Sequence, residues 1–344
     1  MNKNTKTALI VALSLFGAGV LVCLCISFII HFDYSKLSVN SNPIVKIGDK
    51  ETIKDETYKK EHIEKNIDEK GQDIVLNLIS ADVTVESSSD GHIHLSYDNT
   101  DDIHFELAET DNSIKLTEKQ KDDYSFDILS GNYDRITVVL SLPSKRDGKL
   151  NINGASSEIS VSNIDISKEM GIFSVSGNVT IKDCKTESLD TGTTSGEIEV
   201  TSVDTGRIKA NSVSGSIKIS EISKGIPMSI ASTSGEVYAE NVKTEDLNIE
   251  TTSGEVSLKD TIGQKADIST TSGSVDLSGA DFREIKFKTI SGEITGTVAG
   301  SSEDYTVYTD TLSGDNSLSG HRGRGERTLD LTSTSGSFDI QFEK

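Results

Sequence analysis

The chain has 344 residues, a formal net charge of −21, no Trp, 5% aromatic residues and 28 Gly. Acid on that scale sets its surface against nucleic acids and anionic lipid headgroups, which it would repel. So few rings argue against an ordinary globular core of this size and for stacked strands packed with Val, Ile, Leu, Ala and Thr. Of three cysteines, Cys23 and Cys25 sit in an apolar N-terminal run, so Cys184 stands alone and no internal disulfide frames the rest.

Residues 1–7 are a tail with Lys3 and Lys6 and no acid. From Ala8 to Ile30 run 23 uncharged, mostly apolar residues. A helix of that length, rising about 1.5 Å per residue, crosses a hydrocarbon core of about 30 Å. The positive tail puts the N-terminus in the cytoplasm and the C-terminal domain outside it. A cleaved signal would have a shorter apolar run and a small-x-small site, but this run ends Ser27-Phe28-Ile29-Ile30-His31-Phe32. Val22 and Leu24, directly before the two cysteines, are also too large for a lipoprotein signal. The expectation is an uncleaved single-pass anchor in the cell membrane. Residues 31–70 are polar, weakly periodic, and read as a spacer holding the next domain off the bilayer.

A repeat dominates the remainder. Ser-Gly pairs place Gly177, Gly196, Gly215, Gly235, Gly254, Gly273, Gly292, Gly314 and Gly336 at intervals of 19 to 22 residues, and Ser157 fits one interval earlier. Seven and five residues before each glycine the columns are apolar, as in Leu189, Ile208 and Leu247, or Ile172, Ile230 and Ile249. Two and four residues after it they are apolar again, as in Ile198, Ile217 and Val237, or Val200, Ile219 and Leu258. Each half is a strand with one buried face. The parity flips across the Ser-Gly, so the chain must turn there, and glycine is expected to supply the backbone freedom. Three residues before the glycine stands an inward Ser or Thr, a hydrogen-bonding partner for the turn. A unit of two short strands and two turns buries nothing alone, but stacked units share a continuous core.

The predicted fold is therefore all-β, a single-stranded β-solenoid of about ten coils of ~19 residues spanning 150–344, a rod of roughly 45–50 Å. Residues 71–149 read as an N-terminal β cap. They contain a degenerate coil, Ile74 to Val85, with Ala81 at the glycine position, and then strand-like runs. At the far end the basic insert His321-Arg-Gly-Arg-Gly-Glu-Arg327 is placed to cover the last edge, with a basic binding arm as the alternative.

The run Val138-Val-Leu-Ser-Leu-Pro143, a polar loop, Leu150-Asn-Ile152, the serial Thr-Ser-Gly-Glu corners and the closing Arg327-Thr-Leu-Asp-Leu-Thr-Ser-Thr-Ser-Gly-Ser-Phe resemble the bacterial "putative adhesin" domain of unknown function, to which LiaG-type envelope proteins belong. The resemblance covers residues 71–341. It implies a β-solenoid on a membrane anchor in the cell envelope and carries no catalytic residue over. Ser157, in place of glycine, departs from the pattern at the first corner.

Residues that bear chemistry are sparse. After the corner glycines an acidic ladder, Glu197, Glu236, Glu255, Glu293 and Asp315, faces outward. Neighbouring carboxylates about 5 Å apart could hold a cation, but a hard cation takes six or more oxygens, and solvated charge that opposes lateral association is the better reading. His92 and His94 alternate on one strand near His104, short of a convergent zinc set. Neither a phosphate loop nor a nucleophile elbow is present. The expectation is thus a non-catalytic surface-binding, adhesin-like or scaffold module without a cofactor, whose partners would be wall polymer, a host ligand or a membrane protein. A regulatory envelope-stress protein acting through a membrane partner is the alternative, and a carbohydrate-active β-helix enzyme is disfavoured by the lack of Trp and the uniform coils.

Overall fold

Alternation on either side of each Ser-Gly pair builds parallel strands whose apolar columns stack in register. Ile198 lies between Val179 and Ile217, and Leu189 between Met170 and Ile208. All six are buried. These contacts come from a computed structural model that describes residues 60–121, 135–321 and 323–343. The expected tail 1–7 and membrane span 8–30 lie outside the described residues. Among the described residues, no helix is long and apolar enough to cross a membrane. The chain is a β-solenoid of about nine turns.

The regular part begins with β9 (Leu150–Gly154) and β10 (Ile159–Ser162), continues with β11 (Asp165–Ser174) and runs to β18 (Val256–Thr270) and β19 (Val275–Lys288). Its coils differ from the expected two-strand unit, because a third wall joins the two halves. Six residues after each corner position the backbone enters the left-handed region, at Asn163, Asp183, Ser202, Glu221, Asn241 and Asp260 with φ of 47 to 57°, and at Gly279 with φ of 69°. The next residue, among them Ile164, Cys184, Val203, Ile222 and Val242, turns back into the core. A register irregularity, as between Ile222 and Ile226, then bends the chain toward the following coil. Mostly Asn, Asp, Ser and Gly fill this second corner; Asn, Asp and Gly are the residues that best tolerate a left-handed conformation.

At both ends the coils stack out of chain order. At the N-terminal end β2 (Asp73–Leu78) and β3 (Asp82–Ser87) form one coil, and β6 (Ser113–Gln120) and β7 (Thr137–Leu142) another. β2 is flanked by β6 and β9, and β3 by β7 and β10, so the first coil in sequence is covered by the second. At the C-terminal end β20 (Ile294–Ala299) is followed in sequence by β21 (Tyr305–Thr311), β22 (Arg327–Ser333) and β23 (Phe338–Glu343). In space β22 lies between β19 and β21, and β23 lies against β20 with a bridge from Phe338 to Asn316 on its other side. The 301–325 segment is the outermost layer, and the last coil of the chain is inserted beneath it.

Two of the inward positions are polar in that outermost layer, while Val307 and Leu318 stay apolar. Asn316 stands where other coils place Ile, Val or Phe, Thr309 shares its column with Thr191 and Ala210 as well as Ile172 and Ile249, and the Asn316 Nδ2 donates to Thr309 Oγ1 at 2.9 Å. At the opposite end β4 (Ile93–Asn99) is antiparallel to β1 (Glu61–Ile67) and β7, and β5 (Ile103–Glu109) is antiparallel to β6. Ile93, Leu95, Tyr97 and Phe105 from these strands join the core. β1 falls inside the segment 31–70 expected to be spacer, so among the described residues strand structure is already present at Glu61–Ile67.

Candidate functional site: the acidic corner ridge

The Thr-Ser-Gly-Glu corners stack into a ridge along the solenoid. Most inward hydroxyls close their own turns, Ser212 Oγ being one that has no hydrogen-bond partner among the described residues. The N–H of Gly196 donates to Thr193 Oγ1 at 2.9 Å, that of Gly254 to Thr251 at 3.0 Å and that of Gly273 to Thr270 at 2.8 Å. Ser232 reverses the direction and donates to the carbonyl of Gly235 at 2.7 Å. Between coils the turn backbones bond directly, as from Ser214 N–H to Thr194 O at 2.8 Å and from Ser253 N–H to Thr233 O at 2.9 Å.

The corner glycines serve a different purpose from the one expected. Apart from Gly314, none of them has a positive φ in the left-handed range. A Cβ on Gly215 would stand 1.6 Å from the carbonyl oxygen of Gly196, and one on Gly235 would stand 1.9 Å from that of Gly215. The requirement is close approach: the carbonyl of each corner points at the Cα of the corner stacked on it. Backbone freedom is used instead at the second corner, six residues on, a column whose Asn and Asp content was the signal that sequence reasoning passed over.

All five acids of the ladder are exposed. Adjacent coils place only Glu236 and Glu255 as direct neighbours, since Val237 pairs with Val256. Ser216 separates Glu197 from Glu236, and Ser274 separates Glu255 from Glu293. The swapped C-terminal order adds another spacer, because Ser337 intervenes between Glu293 and Asp315 and its Oγ accepts the Asp315 N–H at 3.2 Å. Asn178 Oδ1 likewise accepts the Glu197 N–H at 2.8 Å. The ridge is thus an acidic edge with its charges mostly spread apart. Among the described residues no group of three or more His, Cys, Asp or Glu is placed to hold a metal ion.

The histidines are dispersed along the N-terminal strands. His94 Nε2 meets Asp90 Oδ1 at 2.8 Å and its Nδ1 meets Asn66 Oδ1 at 2.6 Å, while His92 and His104 are exposed. His62, which sequence reasoning left in the spacer, faces Asp98 Oδ1 at 2.7 Å through Nδ1 and Glu64 Oε1 at 3.3 Å through Nε2. Two carboxylate acceptors require an N–H on both ring nitrogens, so Asp98 first and Glu64 second hold the His62 pKa above its usual value. Burial pushes the Cys184 thiol up to about 11, which makes it a core side chain rather than a nucleophile. In the basic insert, Arg327 turns inward: its guanidinium donates to the carbonyls of Phe282 and Ala299 and to Asp281.

Solved structures with similar chain paths include a "putative adhesin" from Bacteroides fragilis, 11% identical, with a TM-score of 0.33, covering 82% of this chain and 97% of its own. A "putative cell adhesion protein" from Clostridium sporogenes is 11% identical at a TM-score of 0.24, over 83% of this chain and all of its own. A "putative lipid binding protein" from Parabacteroides distasonis is 16% identical at 0.32, over 82% and 96%. No curated protein matches the chain significantly. The sequence profile of the Toastrack DUF4097 family matches residues 71–226 and again 224–344. Between them these two matches span the whole solenoid, and the chain belongs to the Toastrack DUF4097 family.

Proposed function

We propose that the protein is a non-catalytic display or binding rod of the cell envelope, anchored by residues 8–30 and presenting its solenoid outside the membrane. One observation carries this reading: the inward columns repeat from coil to coil while the outward positions along the strand walls vary. Along one wall, Asn151, Gly171, Asp190, Lys209, Ser229 and Asn248 succeed one another at a single outward position. A regular scaffold with a varied flat surface is the arrangement by which solenoids present extended binding faces.

Crosslinking in intact membranes, followed by identification of the captured species, tests the proposal. Capture of wall polymer along the solenoid, retained when residues 1–59 are removed, is the expected result. Recovery of one membrane protein, lost on that removal, would favour the regulatory reading. Turnover of any glycan, abolished by Glu236→Gln or Glu255→Gln, would overturn the non-catalytic assignment.

A further inference from the structure

The swapped coil order places both ends of the described solenoid chain in its interior. A solenoid stacked in chain order ends in a coil with one free edge, which can fray. In this chain β22, the first strand of the last coil, is bonded on both edges, to β19 and β21; the final strand β23 is paired to β20 with a single bridge to Asn316 on its other side; and β2 is bonded on both edges, to β6 and β9.

Each crossover that creates this order is fastened by an inward arginine. At the N-terminal crossover Arg146, with no exposed side-chain surface, donates through Nε to Glu69 Oε2 at 2.9 Å and through Nη2 to the carbonyl of Gln72. Gly148, with φ of +97°, lets the crossover lie directly on the chain entering the first coil, for a Cβ there would be 2.6 Å from Gln72 O. At the C-terminal crossover Arg327 donates to Phe282 O at 3.0 Å and Ala299 O at 2.7 Å, binds Asp281, and stands 4.7 Å over the ring of Tyr305. Gly325 allows the same close crossing: a Cβ would be 1.9 Å from the carbonyl of Asp304.

We propose that the outermost C-terminal coil is a latch: it lies over the chain's own last coil, so this end of the rod opens outer layer first and the C-terminal strands come free only afterwards. A corollary concerns assembly. β21 has no template until β22 is in place, so the 301–325 segment docks together with or after the last coil, never before it.

Native-state hydrogen exchange on the full chain tests this. Amides of Leu329–Leu331 are expected to exchange about tenfold or more slowly than those of Thr306–Asp310, because the inner strand opens only through states in which the outer one is already open. Equal or faster exchange in the terminal coil would overturn the proposal. A chain ending at residue 326 gives an independent arm. Protection of Thr306–Asp310 should vanish while that of coils 189–282 persists, and retained protection would show that β21 docks without β22. Arg327→Met should raise exchange in Thr306–Asp310 selectively. If that variant fails to fold, the wild-type comparison decides alone.

Discussion

Gly215 carries a constraint that no flexible neighbour can relieve, because the atom it would strike is a backbone carbonyl fixed by its own coil. Gly215→Ala is therefore expected to cost about 3 kcal/mol or more, read as a lowered urea midpoint, since overpacking against backbone forces whole corners apart. The adjacent Ser214 is exposed, and Ser214→Ala should stay within about 0.5 kcal/mol. The glycine column was plain in the sequence, but its cause was not. A parity flip shows that a corner exists, whereas steric demand between corners depends on how closely the coils stack, which spacing alone does not state. The left-handed column at Asn163, Asp183 and Asn241 was equally open to view and is the one that uses conformational freedom.

β1 is held to β4 by seven backbone pairs, three cross-strand histidine contacts and little burial beyond Ile67 and the partly buried Ile63. The groups facing His62 are Asp98 and Ser96 on β4 and Glu64 on its own strand; those facing His94 are Asn66 on β1 and Asp90. A raised His62 pKa contributes stability that is fully present below the unfolded value near 6.5 and is lost as pH rises through the folded one. Asp90, lowered first by its bond to His94, contributes stability present above its unfolded value of 3.8 and lost as pH falls through the folded one. Protection factors of the β1 amides should accordingly be higher at about pH 5.5 than at about pH 8.5, and His62→Gln should flatten that difference. β1 itself was hidden in the sequence because its outer face is charged, as befits an edge strand. Glu118 was hidden for another reason. The first coil has Leu78 where the coils from Ser174 onward have Ser or Thr, and the buried Glu118 carboxylate reaches across from β6 to accept the N–H groups of Ile79, Ser80 and Ala81 at 2.7 to 3.0 Å. The missing hydroxyl was legible; its replacement, 40 residues away from Leu78, was not.

At the scale of the whole molecule the repeat made the solenoid and its buried columns legible, and chain order then misled. Period identifies which residues share a column without saying which coils are neighbours, and only the lengthened 22-residue intervals near the end hinted at an excursion. The same swapped ends govern how the rod can change. Removing Glu236–Gly254, one 19-residue unit, joins Gly235 to Glu255 in phase and touches neither crossover. The shortened chain should fold with similar cooperativity, and small-angle scattering should find its long dimension reduced by about 4.8 Å. Removing ten residues from the same start would put the columns out of phase and should abolish folding. With both ends fastened as finished pieces, copies can be gained or lost only in the middle. Descendants of such a gene would differ in reach by whole steps of one strand spacing, like a ladder supplied in different numbers of rungs with the same feet and the same top rail.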